Sequence, residues 1–170
     1  MTGGKEDTVL ALYPTSRGFG FVFFEGSERL IDWGVKEVRW KDKNFLSLHG
    51  MKVLIERYAP NVVVIEDTTP KQSRRHERIR ILYRLLALHA KTKRIAVRRF
   101  TQSAMHEHFG VHTKYGVAEA VAREIPVLAP RLPRKRKAWM SEDARQSLFD
   151  AAALALLYFA SVADASEPNL

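Results

Sequence analysis

Residues 62–65, Val-Val-Val-Ile, form a continuous β-branched run. A run of this kind suits a strand covered on both faces, and such strands belong to parallel sheets sandwiched between helices. It breaks off in Glu66-Asp67-Thr68-Thr69-Pro70, so the strand would end in two carboxylates. Open α/β sheets place ligands just outside the carboxyl ends of their strands. Glu66 and Asp67 are therefore the first candidate site residues, set against the plainer reading of an acidic turn leaving a strand.

The rest of the chain supplies the partners that such a strand needs. Residues 9–13, 19–24 and 29–38 read as three strands joined by turn signals at 14–18 and 25–28, an antiparallel meander. The period then changes. Leu48, Met51, Ile55 and Tyr58 follow helical spacing over 43–58, and Ile79, Leu82, Tyr83 and Leu86 do so over 75–90. Residues 95–97 are a short strand. Thr101 caps a helix that Gly110 stops, and a further helix covers 114–124. Residues 126–137 are a Pro-rich basic loop, and Ser141 is the expected cap of a last helix reaching residue 163. The order β-β-β-α-β-α-β-α-α-α predicts a mixed five-stranded α/β sheet flanked by helices. The expected organisation is one domain over 1–170, with flexible ends at 1–7 and 164–170 and a basic Pro-rich loop within 126–140.

Charge points to a polyanionic partner. The chain has 170 residues, with 28 Lys and Arg against 19 Asp and Glu and a formal net charge of +9. Residues 71–99 hold eleven of the cations and a single acid, Glu77. Arg74, Arg75 and Arg78 crowd the start of the second helix, and Arg134, Lys135, Arg136 and Lys137 run consecutively beside Trp139. Clustered cations of this kind suit phosphates. Trp139 either stacks on a base or anchors the last helix. Arg17, in a Pro-Thr-Ser-Arg-Gly turn, could cradle a phosphate or simply close a hairpin. Cysteine is absent, which excludes disulfides and thiolate zinc sites and fits a cytoplasmic protein. The N-terminal segment is polar, unlike a signal peptide. The apolar stretch 148–162 is too short to span a bilayer and reads as a buried helix, so no membrane partner is expected. His106, His108 and His112 lack the spacing of a metal site.

Asp150 lies in that apolar stretch, within Leu148-Phe149-Asp150-Ala151-Ala152-Ala153. Burying a lone carboxylate there is costly. Either an Arg or hydroxyl partner meets it, or it serves a cation facing the end of the sheet.

With these residues in place a resemblance emerges. Residues 12–21, Leu-Tyr-Pro-Thr-Ser-Arg-Gly-Phe-Gly-Phe, resemble the first strand-turn-strand of RuvC-type Holliday-junction resolvases. Val64-Ile65-Glu66 resembles their second motif, a strand ending in Glu. Residues 149–156 are similar to their final Asp-Ala-rich helix, and Thr113-Lys114 resembles their loop-then-Lys segment. The resemblance implies a ribonuclease-H-like fold, a DNA partner, a homodimer and a magnesium-dependent cut of branched DNA. Carboxylates would hold the ions that activate water. The implied metal ligands and catalytic acids are Glu66 and Asp150, to which Asp67 is added as a candidate catalytic residue, and Lys114 joins the nucleic-acid-binding residues.

The sequence departs from this pattern in two places. Tyr13 stands where the family has its first-strand acid, and a phenol is neutral at pH 7 and a poor magnesium ligand. Ser147 and Ala153 stand where a second acid would flank Asp150. Asp67 is the nearest spare carboxylate, while Asp7, Glu25, Asp32 and Asp143 lie farther from the expected site. Glu66 with Asp150 would hold one magnesium weakly. Three functions stay open: a metal-dependent endonuclease, a nucleic-acid-binding module without cleavage on the same fold, and a scaffold for an acidic protein.

Overall fold

The structure is a computed structural model that describes residues 6–39, 41–70, 73 and 75–166. Its core is a five-stranded sheet in the order β3-β2-β1-β4-β5. The meander β1 (Thr8–Thr15), β2 (Gly18–Glu25) and β3 (Leu30–Glu37) is antiparallel. β4 (Val62–Glu66) and β5 (Ala96–Phe100) run parallel to β1. This is the mixed five-stranded sheet that the residue pattern predicts.

Strand alternation sorts the side chains into two layers. Leu10, Leu12, Phe19, Phe21, Phe23, Val63 and Ile65 meet α1 (Lys43–Tyr58) and α2 (Glu77–Thr92). Val9, Ala11, Val22, Phe24, Val62 and Val64 meet the opposite layer, built on α5 (Gln146–Ser166). α4 (Lys114–Glu124) packs against α5, and α3 (Gln102–Phe109) touches both. α5 is long and apolar enough to cross a membrane, yet it lies across β1 and β2 with most of its first thirteen residues buried. It is the core helix on that side of the sheet.

Two expected boundaries move. The segment 126–137 is not all loop, because Pro126–Arg131 forms a 3-10 turn with Leu128 fully buried. Ser141 does not cap the last helix, which begins five residues later. Asp143 accepts hydrogen bonds from the Arg145 backbone N–H at 2.9 Å and from its guanidinium, closing a turn just before α5. Glu142 is held instead by Lys114. The expected ends at 1–7 and 164–170 fall partly outside the described residues. Within them, Asp7 accepts a hydrogen bond from Tyr158 and α5 continues through Ser166.

Candidate functional site: two carboxylates and two internal cations

Tyr13 shares the α5 face of β1 with Val9 and Ala11, and Glu66 shares that face of β4 with Val62 and Val64. β1 and β4 pair as Val9–Val62 and Ala11–Val64. Two residues further that register would set Tyr13 beside Glu66, just past the last paired residues. Parallel strands diverging at their carboxyl ends leave a crevice there.

The helix carrying the third residue reaches this crevice because of a glycine. Gly20 pairs with Tyr13 across β1 and β2. A Cβ at Gly20 would lie 2.3 Å from the backbone of Ser147. Only a glycine lets the first turn of α5 rest this closely on the sheet, and that contact brings Asp150 into electrostatic range of Tyr13 and Glu66. Tyr13, Glu66 and Asp150 are 1%, 3% and 2% exposed.

Two cations of the chain itself occupy the space between these groups. Arg75 sets its Nε 3.1 Å from Glu66 Oε2, its guanidinium 4.8 Å from the centre of the Tyr13 ring, and donates to the carbonyl of Pro14. Lys114 sets its Nζ 3.4 Å from Asp150 Oδ2 and 5.2 Å from the same ring, and donates to Glu142 Oε1 at 2.9 Å. The Tyr13 ring thus lies beside both a guanidinium and an ammonium, each facing a buried carboxylate. Gln146 completes the set by donating to Asp150 Oδ1 and to the Lys114 carbonyl. Among the described residues, Glu66 Oε2 and Asp150 Oδ2 have no hydrogen bond of good geometry. They meet their cations as charges.

Burial pushes Glu66 above the usual carboxylate range, with Arg75 and Lys114 pulling it back. Burial also raises Asp150, against Lys114 and Gln146. Tyr13 is driven well above the normal phenol value by burial and by Asp150, which keeps it neutral. For Lys114, burial acts downward, but Asp150 and Glu142 outweigh it and the net shift is upward.

The other acids lie elsewhere. Asp67 is held by its own turn, accepting from Thr69 N at 2.9 Å and Thr69 Oγ1 at 2.7 Å. Asp32 accepts from Tyr58, Glu25 faces Arg29, and Asp143 is not on the same helix as Asp150. Glu142 is the acid at the site that sequence reasoning missed. It sits in the irregular stretch before α5, where no period marks it.

The expected binding residues divide into two groups. Arg75 is drawn into the site, and Arg78 is half-buried, donating to Asn44 Oδ1 at 2.8 Å and to the Thr15 carbonyl. Arg74 lies outside the described residues. Arg17, Arg134, Lys135, Arg136 and Lys137 are exposed. Trp139 is 79% exposed, so it does not anchor the last helix; Lys137 lies 5.9 Å from the centre of its ring. Arg134, Lys135 and Arg136 line a cavity of about 290 Å³ with Lys114, Glu142 and Gln146, so the basic loop opens onto the Lys114 end of the site.

No family model and no curated protein matches the sequence. Solved structures do match. The Thermus thermophilus RuvC structure superposes with a TM-score of 0.61 at 17% identity, over 92% of this chain and 96% of that one. The same protein in complex with a Holliday-junction substrate gives 0.63 at 16% identity, covering 91% and 96%. The yeast mitochondrial Holliday junction resolvase Ydc2 gives 0.56 at 15%, covering 93% and 80%. The fold is that of RuvC.

On the RuvC fold, the resemblance places divalent ions among the groups at positions 13, 66 and 150. The residues present do not fit them. Magnesium takes about six oxygen ligands near 2.1 Å. Here the Glu66 and Asp150 oxygens already face a guanidinium and an ammonium, and Tyr13 adds no charge. A divalent ion would enter beside two positive charges in a poorly solvated pocket. Among the described residues, no group of three or more His, Asp or Glu side chains is arranged to hold a metal. The sequence-based case for a metal also weakens, because Asp150 has the partner it seemed to lack: Lys114, supported by Gln146.

Proposed function

We propose that this protein binds branched DNA on a RuvC fold without cutting it by a two-metal route. The observation that carries the reading is the pair of internal cations: Arg75 on Glu66 and Lys114 on Asp150, both beside a neutral Tyr13. The DNA side is supported by the exposed Arg134–Lys137 run. Among the described residues its cations enter no ion pair with the chain, so they are available to phosphates. A structural neighbour solved with a Holliday-junction substrate supports branched DNA as the class of ligand. Two copies would pair through α2, where Ile81, Leu85 and Leu88 form an exposed apolar stripe. Sedimentation should then show a dimer that Leu88→Glu dissociates, and a monomeric wild type would remove this part of the proposal.

The test is fluorescence anisotropy on a four-way junction, a flap, a single strand and an RNA duplex, with parallel gels in magnesium and in manganese. The junction should bind tightest, with affinity falling steeply as salt rises, and it should remain intact. Junction nicking by wild type that Asp150→Asn abolishes would overturn the non-cleaving reading. Equal, weak binding of all four ligands would overturn the branched-DNA reading.

A further inference from the structure

A second basic site adjoins the first at the carboxyl end of β4, toward α2, with Glu66 in its wall. The cavity between the ends of β4 and β5 and the middle of α2 measures about 650 Å³, within the size range of small-ligand pockets. Arg80, Arg84 and Arg99 line it, together with Thr68, Thr69 and Tyr83. The sequence brings them together in a simple way. Arg80 and Arg84 are one helical turn apart on α2, with Tyr83 between them. Arg99 pairs with Ile65 and follows the parity of Val97, which packs on the α2 side of the sheet.

Three features mark this as a built site. Tyr83 is 4% exposed, and among the described residues its buried hydroxyl makes no hydrogen bond of good geometry, although Arg75 lies near it. Arg80 donates to the Ser73 carbonyl at 3.0 Å, yet its buried Nε has no partner among the described residues. Arg99 enters no ion pair or side-chain hydrogen bond among the described residues, and the Arg84 contact with Glu77 is an exposed 3.3 Å pair of the weak kind. The acids of the wall do not outweigh these charges: Glu66 faces Arg75, and Asp67, whose Oδ1 accepts from Thr69, sets one negative charge against three guanidiniums. Buried donors without acceptors, converging with guanidiniums, match the oxygens of a phosphate.

We infer that this pocket binds one phosphate group of a nucleic-acid strand, its oxygens accepting from Arg80, Arg84, Arg99 and the Tyr83 hydroxyl. Only the source of the phosphate rests on the proposed DNA function; the pocket itself does not. Inorganic phosphate, adenosine 5′-monophosphate and a four-way junction serve as probes. Phosphorus NMR follows the first two and anisotropy at several salt concentrations follows the third. The double variant Arg84→Gln/Arg99→Gln should abolish phosphate binding, weaken junction binding about tenfold and lower its salt slope by about 0.9, the share of one neutralised phosphate. Tyr83→Phe should weaken binding a few-fold and leave the slope unchanged, since it removes a donor and no charge. Arg134→Gln/Arg136→Gln, in the basic loop, should leave phosphate binding intact. If wild type binds inorganic phosphate and the double variant does not, while neither binds the junction, the DNA function fails and the pocket stands as a site for a free phosphate ester. If no probe binds wild type, or the double variant and Tyr83→Phe both bind as wild type does, the inference is overturned.

Discussion

Glu66 and Asp150 are buried carboxylates that each face one cation of the chain itself. Both still titrate upward because burial outweighs the pairing. The sign of the pH dependence follows from this. Between the ordinary carboxyl value and the raised one, the folded state holds more protons than the unfolded chain. These two groups therefore make stability fall as pH rises from 3.8 for Asp150 and 4.5 for Glu66 through their raised values. Asp143, lowered by Arg145, acts in the opposite sense: its contribution is present above the unfolded value and is lost on acidification. Asp150→Asn isolates one contribution, and urea unfolding from pH 4 to 7 should show a flatter decline than wild type. An unchanged slope would mean that Asp150 is not shifted upward. In the sequence, Asp150 was legible as a costly residue needing a partner, and Glu66 as the end of a buried strand. The partners were not legible. Lys114 opens a different helix, and Arg75 sat inside a basic cluster that pointed outward to phosphate.

Element by element, the strands and their order were readable because their signals are local: β-branched and aromatic runs, turn residues, and the change from a period of two to one of 3.6. The start of α5 was misplaced because Ser141 has the chemistry of a cap, while the chain first turns through Asp143 hooking Arg145 and Lys114 holding Glu142. The close approach of α5 to β2 was equally hidden, since nothing in the neighbourhood of Gly20 announces a helix passing over it. That approach makes a testable claim. Gly20→Val should push α5 off the sheet and destabilise the fold by about 1–3 kcal/mol, the usual range for overpacking. It should also disturb the ring environment of Tyr13, its cross-strand partner. Urea denaturation and near-UV circular dichroism check both effects, and a variant as stable as wild type would contradict the packing described for α5.

At the scale of the whole molecule, the net charge of +9 divides into internal and outward parts. Arg75, Arg78 and Lys114 hold the site and the helices together, while the 134–137 run faces solvent beside an exposed Trp139. Composition alone could not separate these roles, because a cation's partner is set by the tertiary fold. The separation predicts that charge reversal across Arg134 to Lys137 weakens junction binding and lowers the salt slope by about 0.9 for each phosphate that the protein no longer neutralises, with stability unchanged. If affinity and slope hold while the four charges are reversed, the basic run is solvated surface and does not bind DNA. The central claim, that the chain's own cations hold the places where metal ions would bind, is tested most directly by crystals grown with manganese and measured at its absorption edge. The account predicts no anomalous peak between Glu66 and Asp150, with Arg75 still against Glu66 and Lys114 against Asp150. A manganese peak bridging the two carboxylates, with Arg75 swung away, would contradict it.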